Sequence, residues 1–261
     1  MTVLADRYIA APNFSEGWLD AVRLLHTSAG RKAVHLVVRI ADPTREDRAI
    51  RLAAEELIDG WNAGRSRPQD EMEQIESTRN TIFPASYARR TPSLEELAAY
   101  YRKRYTKAGL LGFPRNSRGT YFGRMVAYPR GDETEPGDQL SSTLRKLRQE
   151  LETGSNKSSR YEISIYNERV DRSPMSFPCL AHISLHLHDH QLHMQAVYRN
   201  EFLIGRAYGN YLGLAQLQAY IATAAGVGVG ELLITAGHVE LDGHRQAVGA
   251  MLARLSAVQA S

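Results

Sequence analysis

FPCLAHISLHLHDHQLHMQAVYRNEFLIGRAYGN, residues 177–210, holds the reading on which the fold turns. Leu180–Leu187 and Leu192–Arg199 are strand-like runs, and His188-Asp189-His190-Gln191 between them reads as a turn, which predicts an antiparallel hairpin. His182, His186, His188 and His190 alternate around it. Strand periodicity alone puts several of them on one face, so no metal is expected there. Cys179 heads the hairpin and is the only cysteine in the chain. A solitary thiol can form no intramolecular disulfide and supply no cysteine-rich metal cage, which leaves it two jobs: filling the core or acting as a nucleophile.

Downstream of the hairpin, Tyr211–Ala225 predicts an apolar helix and Leu232–Gly237 a strand. Ala247–Val258 predicts a last amphipathic helix. Gly226-Val227-Gly228-Val229-Gly230 lies between a helix and a strand, the reverse of a phosphate loop, and reads as a turn. Upstream, Tyr161–Tyr166 predicts a strand, and Gln139–Leu151 a helix with Leu140, Leu144, Leu147 and Leu151 on one side. Ser93 and Glu96 fit a capping box for a helix running to about Thr106. Asn62 to Glu76 is polar and punctuated by glycine and proline, so it reads as a surface loop.

Near the start, Ser15 is placed to cap a helix carrying Trp18, Val22 and Leu25 that stops near Gly30. Ala33–Ile40, almost continuously apolar and β-branched, reads as a strand covered on both faces. Thr44, after Pro43, opens a second helix with Ile50, Ala53, Leu57 and Trp61 facing the core.

The 261 residues suffice for one α/β domain that buries a core without staples. With 32 basic and 29 acidic residues the net charge is only +3, which calls for neither a nucleic acid nor a membrane as partner. Locally, Arg89 to Arg124 holds nine lysines and arginines against two glutamates, an excess suited to an anion or to a solvated face. Met1-Thr2-Val3-Leu4 leads straight into charged residues without an apolar signal core, so a cytoplasmic protein is expected.

Arg160, Ser164-Ile165-Tyr166-Asn167, Met175-Ser176-Phe177-Pro178-Cys179, Arg199, Asn210 and Gly237 stand in a register that resembles the thymidylate synthase family, including its pyrimidine nucleotide hydroxymethylases. Tyr121-Phe122-Gly123-Arg124 and Gly137-Asp138-Gln139 extend the resemblance upstream. It is clearest over residues 117–242, with 1–116 divergent, and implies a single domain over residues 1–261. The implied fold is a three-layer α/β structure whose large mixed sheet packs against its twin in a homodimer.

The implied chemistry is one-carbon transfer to C5 of a pyrimidine nucleotide, methylation or hydroxymethylation, after Cys179 adds to C6. By the same resemblance Arg199 and Arg160 bind the phosphate, Arg160 reaching across the dimer, while Ser159 replaces a further arginine. Asn210 reads the pyrimidine edge, and Tyr198 and Asn200 flank Arg199 where the family has Gln and Ser. Glu56, in Glu55-Glu56-Leu57-Ile58, resembles the family's proton-relaying glutamate.

The departures matter as much. Glu240 and Asp242 replace the pair that contacts the deoxyribose hydroxyl; two residues apart on a strand, they would share a face and suit a ribose diol. Phe202 stands where the family holds the pterin with an aspartate, and the family's closing tail has no counterpart. The resemblance implies methylene-tetrahydrofolate as cofactor, and both departures take away contacts that would hold it. The alternative expectation is a nucleotide-binding dimer of the same fold that has lost the folate reaction.

Overall fold

The structure is a computed structural model that describes residues 7–63, 65–112, 116–117, 119–129, 136–154, 161–172 and 178–259. Its strands are β1 (Tyr8–Ala11), β2 (Lys32–Ile40), β3 (Tyr161–Ser164), β4 (Leu180–His188), β5 (Gln191–Phe202) and β6 (Gly228–Glu240). The helices are α1 (Phe14–Thr27), α2 (Arg48–Asn62), α3 (Ile75–Ile82), α4 (Ala85–Ala88), α5 (Leu94–Arg104), α6 (Tyr121–Val126), α7 (Gln139–Thr153), α8 (Tyr208–Ala225) and α9 (Arg245–Gln259). One mixed sheet runs β1-β2-β6-β5-β4-β3. The pairs β1/β2 and β5/β6 are parallel and the others antiparallel.

The hairpin expected from residues 177–210 is present as β4 and β5. Its connection is tight because Asp189 and His190 both adopt left-handed backbone, φ 49° and 57°, which matches the twist of the flanking strands. From β5 the chain passes through α8 to the parallel strand β6, the crossover that parallel neighbours require. Helix α8 is apolar all round and buried on nearly every side. The sheet lies against it through β5 and β6, α1 and α7 flank it, and α3 packs on it. Gly209 and Gly213 permit that last contact. A Cβ at Gly209 would sit 2.7 Å from Thr78 Cβ, and one at Gly213 would sit 2.9 Å from Ile82 Cβ.

Strand side chains normally alternate between faces. Here the alternation slips at one row that crosses four strands. The inward residues around the slip are Leu180 and Ile183 on β4, Tyr198 and Glu201 on β5, Ala236 and Val239 on β6, and Ala33 and Leu36 on β2. Register ties the row together, pairing Leu180 with Tyr198, Tyr198 with Ala236, and Ala236 with Leu36. The pairing of β4 with β5 is irregular between Leu180 and His182, and His35 takes a φ of 58° within β2. This kink turns Glu201 into the core, where unbroken alternation would have carried it outward with Arg199.

Several local expectations are corrected. Helix α1 is capped by Asn13, whose side chain accepts from the Glu16 amide, while Ser15 is buried and bonds the Tyr208 hydroxyl at 2.9 Å. Helix α2 is capped by Asp47 rather than opened by Thr44. Strand β2 is covered on one face only: Leu36, Val38 and Ile40 are buried, whereas Val34 is exposed and Val37 half-buried. The segment from Asn62 to Glu76 is tied down, because the Asn62 side chain exchanges two hydrogen bonds with the Met72 backbone and Trp61 Nε1 donates to Asp70 O. Half of the capping box forms, with Ser93 Oγ accepting from the Glu96 amide at 3.2 Å. No described helix is long and apolar enough to cross a membrane.

Candidate functional site around Cys179

Cys179 precedes β4 at the kinked row, partly buried. Strand pairing brings Arg199 to it: the Arg199 amide donates to Cys179 O at 2.8 Å, and Arg199 Nε donates to Pro178 O at 3.2 Å. Burial pushes the thiol above its ordinary pKa. Arg199 and Arg206 pull it back, and Glu201 adds to the push. Both arginines thus favour the thiolate, the form that attacks and ligates.

Behind the thiol lies a group of buried polar side chains. Glu201 is 1% exposed, and its carboxylate accepts from Asn210 Nδ2 and from the Tyr211 hydroxyl, both at 3.3 Å. Burial pushes the Glu201 carboxyl up to about 7, against the opposing effect of those two hydrogen bonds. Tyr121, from α6, is close enough to feel Cys179, Arg206 and Glu201, bonds the Leu180 backbone, and has its hydroxyl pushed up to about 12 by burial. Tyr198 is wholly buried, within electrostatic reach of Cys179, Glu201, Tyr121 and Tyr211. Its hydroxyl has no hydrogen-bond partner among the described residues. A buried phenol normally finds one.

The junction that positions Asn210 is a π turn, Leu203–Ala207, leading into α8. Two side chains make three hydrogen bonds to its backbone. Trp18 Nε1 donates to Leu203 O at 2.7 Å, and Asp242 accepts from the amides of Ile204 and Gly205 at 2.7 and 3.0 Å. Single π turns of this kind commonly sit at functional sites. This one also carries Arg206, whose Nη2 lies 3.9 Å from Glu73 Oε1.

Of the sequence expectations, Arg199 is joined to Cys179 by strand pairing, Tyr198 lies within electrostatic reach of the thiol, and Asn210 is bonded to Glu201, which is within that reach as well. Asn200 lies on the same strand, but its Oδ1 is paired with His238 Nδ1 at 2.6 Å. Arg160 lies outside the described residues. Glu56 sits on an exposed face of α2 and forms an ion pair with Arg254 of α9. Asp242 braces the turn before α8, each of its oxygens accepting a backbone amide. Glu240 pairs with Lys32 at 2.9 Å.

The basic stretch from Arg89 to Arg124 likewise disperses. Arg102 pairs with Asp138, Arg104 covers the rings of Tyr87 and Tyr100, and Arg124 is buried against Asp171. A cleft of about 210 Å³ lined by Asn80, Tyr87, Tyr101, Asn116 and Thr120 lies apart from Cys179.

Sequence reading missed Glu201 and Arg206. The only signal for Glu201 was a carboxylate three residues after Tyr198 on an otherwise apolar inward face, and for Arg206 a lone cation within Leu203–Ala207. Phe202, at the end of β5, is 39% exposed. Set against models of known protein families and against curated proteins, the chain finds no match in either.

Proposed function

We propose that this protein binds a pyrimidine nucleotide and activates it by adding Cys179 to C6, for one-carbon transfer at C5. The observation that supports the reading is a partly buried thiol with two arginines that favour its ionised form and with Glu201, the acceptor of the Asn210 amide, within electrostatic reach. The thiolate supplies the electron pair of the new S–C6 bond, and the electrons of the C5=C6 bond move towards O4. No group leaves in this step. Asn210 has the donor and acceptor needed for the O4 and N3–H edge of uracil, and Arg199 has the forked donors suited to a phosphate. C5, made nucleophilic by the addition, is then open to an electrophilic one-carbon donor at the formaldehyde oxidation level, such as the methylene group of methylene-tetrahydrofolate.

The sheet's outer face supports a homodimer of the synthase type. Val37, Thr235, Val197 and His182 are paired in register across four strands and all half-buried. A second copy packed there would cover the apolar members of this row and the exposed Val34.

The second reading is a dimeric nucleotide-binding protein without the folate reaction. It is favoured by Phe202 and by the upward push on the thiol. Intact mass after incubation with 5-fluoropyrimidine nucleotides, with and without methylene-tetrahydrofolate, separates the two. The enzyme reading expects an adduct that disappears in Cys179→Ser. Absence of an adduct with every uridine and cytidine form would leave the binding protein.

A further inference from the structure

We infer that Glu201 is a positioning residue that fixes the rotation of the Asn210 amide, and thereby makes the pocket prefer a heterocycle edge pairing an N–H with a carbonyl. The inference rests on the pyrimidine-binding reading above, and it turns on hydrogen-bond valence. An ionised carboxylate only accepts, so the group that Asn210 turns towards Glu201 must be its NH2. That is the arrangement observed, with Nδ2 donating to Glu201 Oε1 at 3.3 Å and Glu201 Oε2 taken by Tyr211. The remaining Nδ2 hydrogen and Oδ1 are then held as one donor and one acceptor side by side, the edge that the proposed function turns to the base. Uracil, with N3–H beside O4, matches that edge. Cytosine, with an amino group beside a bare ring nitrogen, opposes it at both positions, and a mismatched polar edge in a dry site is strongly rejected.

The lock depends on the charge of Glu201. Once protonated, the carboxyl gains an O–H and can donate to Asn210 Oδ1, so the amide is free to turn over. The carboxyl is pushed up to about 7, which makes the preference for uracil greatest above neutrality and weaker below it. The titratable groups around it are Tyr211 from α8, Tyr198 from its own strand, Tyr121 from α6 and Cys179 before β4, with Arg206 of the π turn and Arg199 acting on the thiol. Burial raises the three tyrosines and the thiol above their ordinary values, so at pH 6–8 Glu201 is the first of the acids in this group to change charge.

Glu201→Gln is the direct test, because a glutamine can either accept from or donate to Asn210 and cannot ionise. Calorimetric titration with uridine and cytidine 5′-monophosphates between pH 5.5 and 8.5 reads the ratio of affinities. In the wild type the ratio should favour uridine and rise with pH. In the variant it should fall about tenfold at pH 8, the worth of about one hydrogen bond, and lose its pH dependence.

Tyr211→Phe provides a second variant: deleting one donor to the carboxylate should move the midpoint of the wild-type profile to higher pH. An unchanged ratio and profile in Glu201→Gln overturns the inference, and if that variant does not fold, an unmoved midpoint in Tyr211→Phe does so. Should the wild type bind neither nucleotide, the one-carbon reading falls, and the Glu201 lock is judged on the Asn210 side-chain amide resonances of the free protein. Resonances that titrate near pH 7 in the wild type and stay flat in Glu201→Gln support the lock. Resonances that ignore pH in the wild type overturn it.

Discussion

Arg199 is held beside Cys179 by the backbone, its amide donating to Cys179 O at 2.8 Å, so the charge at the thiol is built into strand pairing. The guanidinium opposes the burial that raises the thiol pKa. Arg199→Ala should therefore move the pH profile of Cys179 alkylation by iodoacetamide to higher pH and slow the reaction several-fold at pH 8. Arg199→Lys keeps the charge and should keep most of the rate. Equal slowing in both variants would mean that the guanidinium shape, rather than its charge, governs the thiol.

Arg124 and Asp171 form a buried two-pronged pair, Nη1 to Oδ2 at 2.6 Å and Nη2 to Oδ1 at 2.7 Å. Arg124 also donates to Ile165 O, and Asp171 accepts the Asn167 amide, so the pair binds α6 to the chain ahead of Cys179. Replacing Arg124 with leucine strands a buried carboxylate and should cost about 3–5 kcal/mol in urea unfolding. The double variant Arg124→Leu/Asp171→Leu should recover part of that loss, since no lone charge remains buried.

How far the sequence could be read depended on whether a feature was local. The β4–β5 hairpin was legible because two strand-like runs flank a turn, and α8 because its apolar run is long. Glu201 was not, since its inward direction comes from a kink shared by four strands, and alternation along β5 alone points it outward. The bonds from Asp242 to the Ile204 and Gly205 amides were not legible either, because those amides belong to a π turn with no sequence signature. Helix α3 escaped notice for a related reason. Residues 75–82 mix β-branched and polar side chains of modest helix propensity, and the helix is supported from outside by the close approach of α8.

That approach makes Gly209 intolerant of even one carbon. A Cβ there would sit 2.7 Å from Thr78 Cβ and 2.8 Å from Ile75 O, and the second contact is backbone that cannot rotate away. Although alanine favours a helix more than glycine does, Gly209→Ala should destabilise by about 1–3 kcal/mol through overpacking. Ala215, in the same helix, offers the control: its replacement by glycine should cost only about 1 kcal/mol of helix propensity plus a small cavity. A stabilised Gly209→Ala protein would show that α3 can retreat.

Glu201 also ties stability to pH. Its carboxyl titrates at about 7 in the folded chain against an ordinary 4.5, so the folded state keeps a proton that the unfolded chain releases. The stabilising contribution is complete below pH 4.5, declines as pH rises, and is gone above about pH 7. At pH 8 the buried charge costs about 3 kcal/mol relative to its state at low pH. Glu201→Gln removes this dependence, so the stability of the variant relative to the wild type should rise by about 2.5 kcal/mol between pH 5 and pH 8 in paired urea unfolding experiments. Comparing the two proteins cancels the titration of every other group, and a difference that stays constant across the range would show that Glu201 keeps an ordinary pKa in the folded chain.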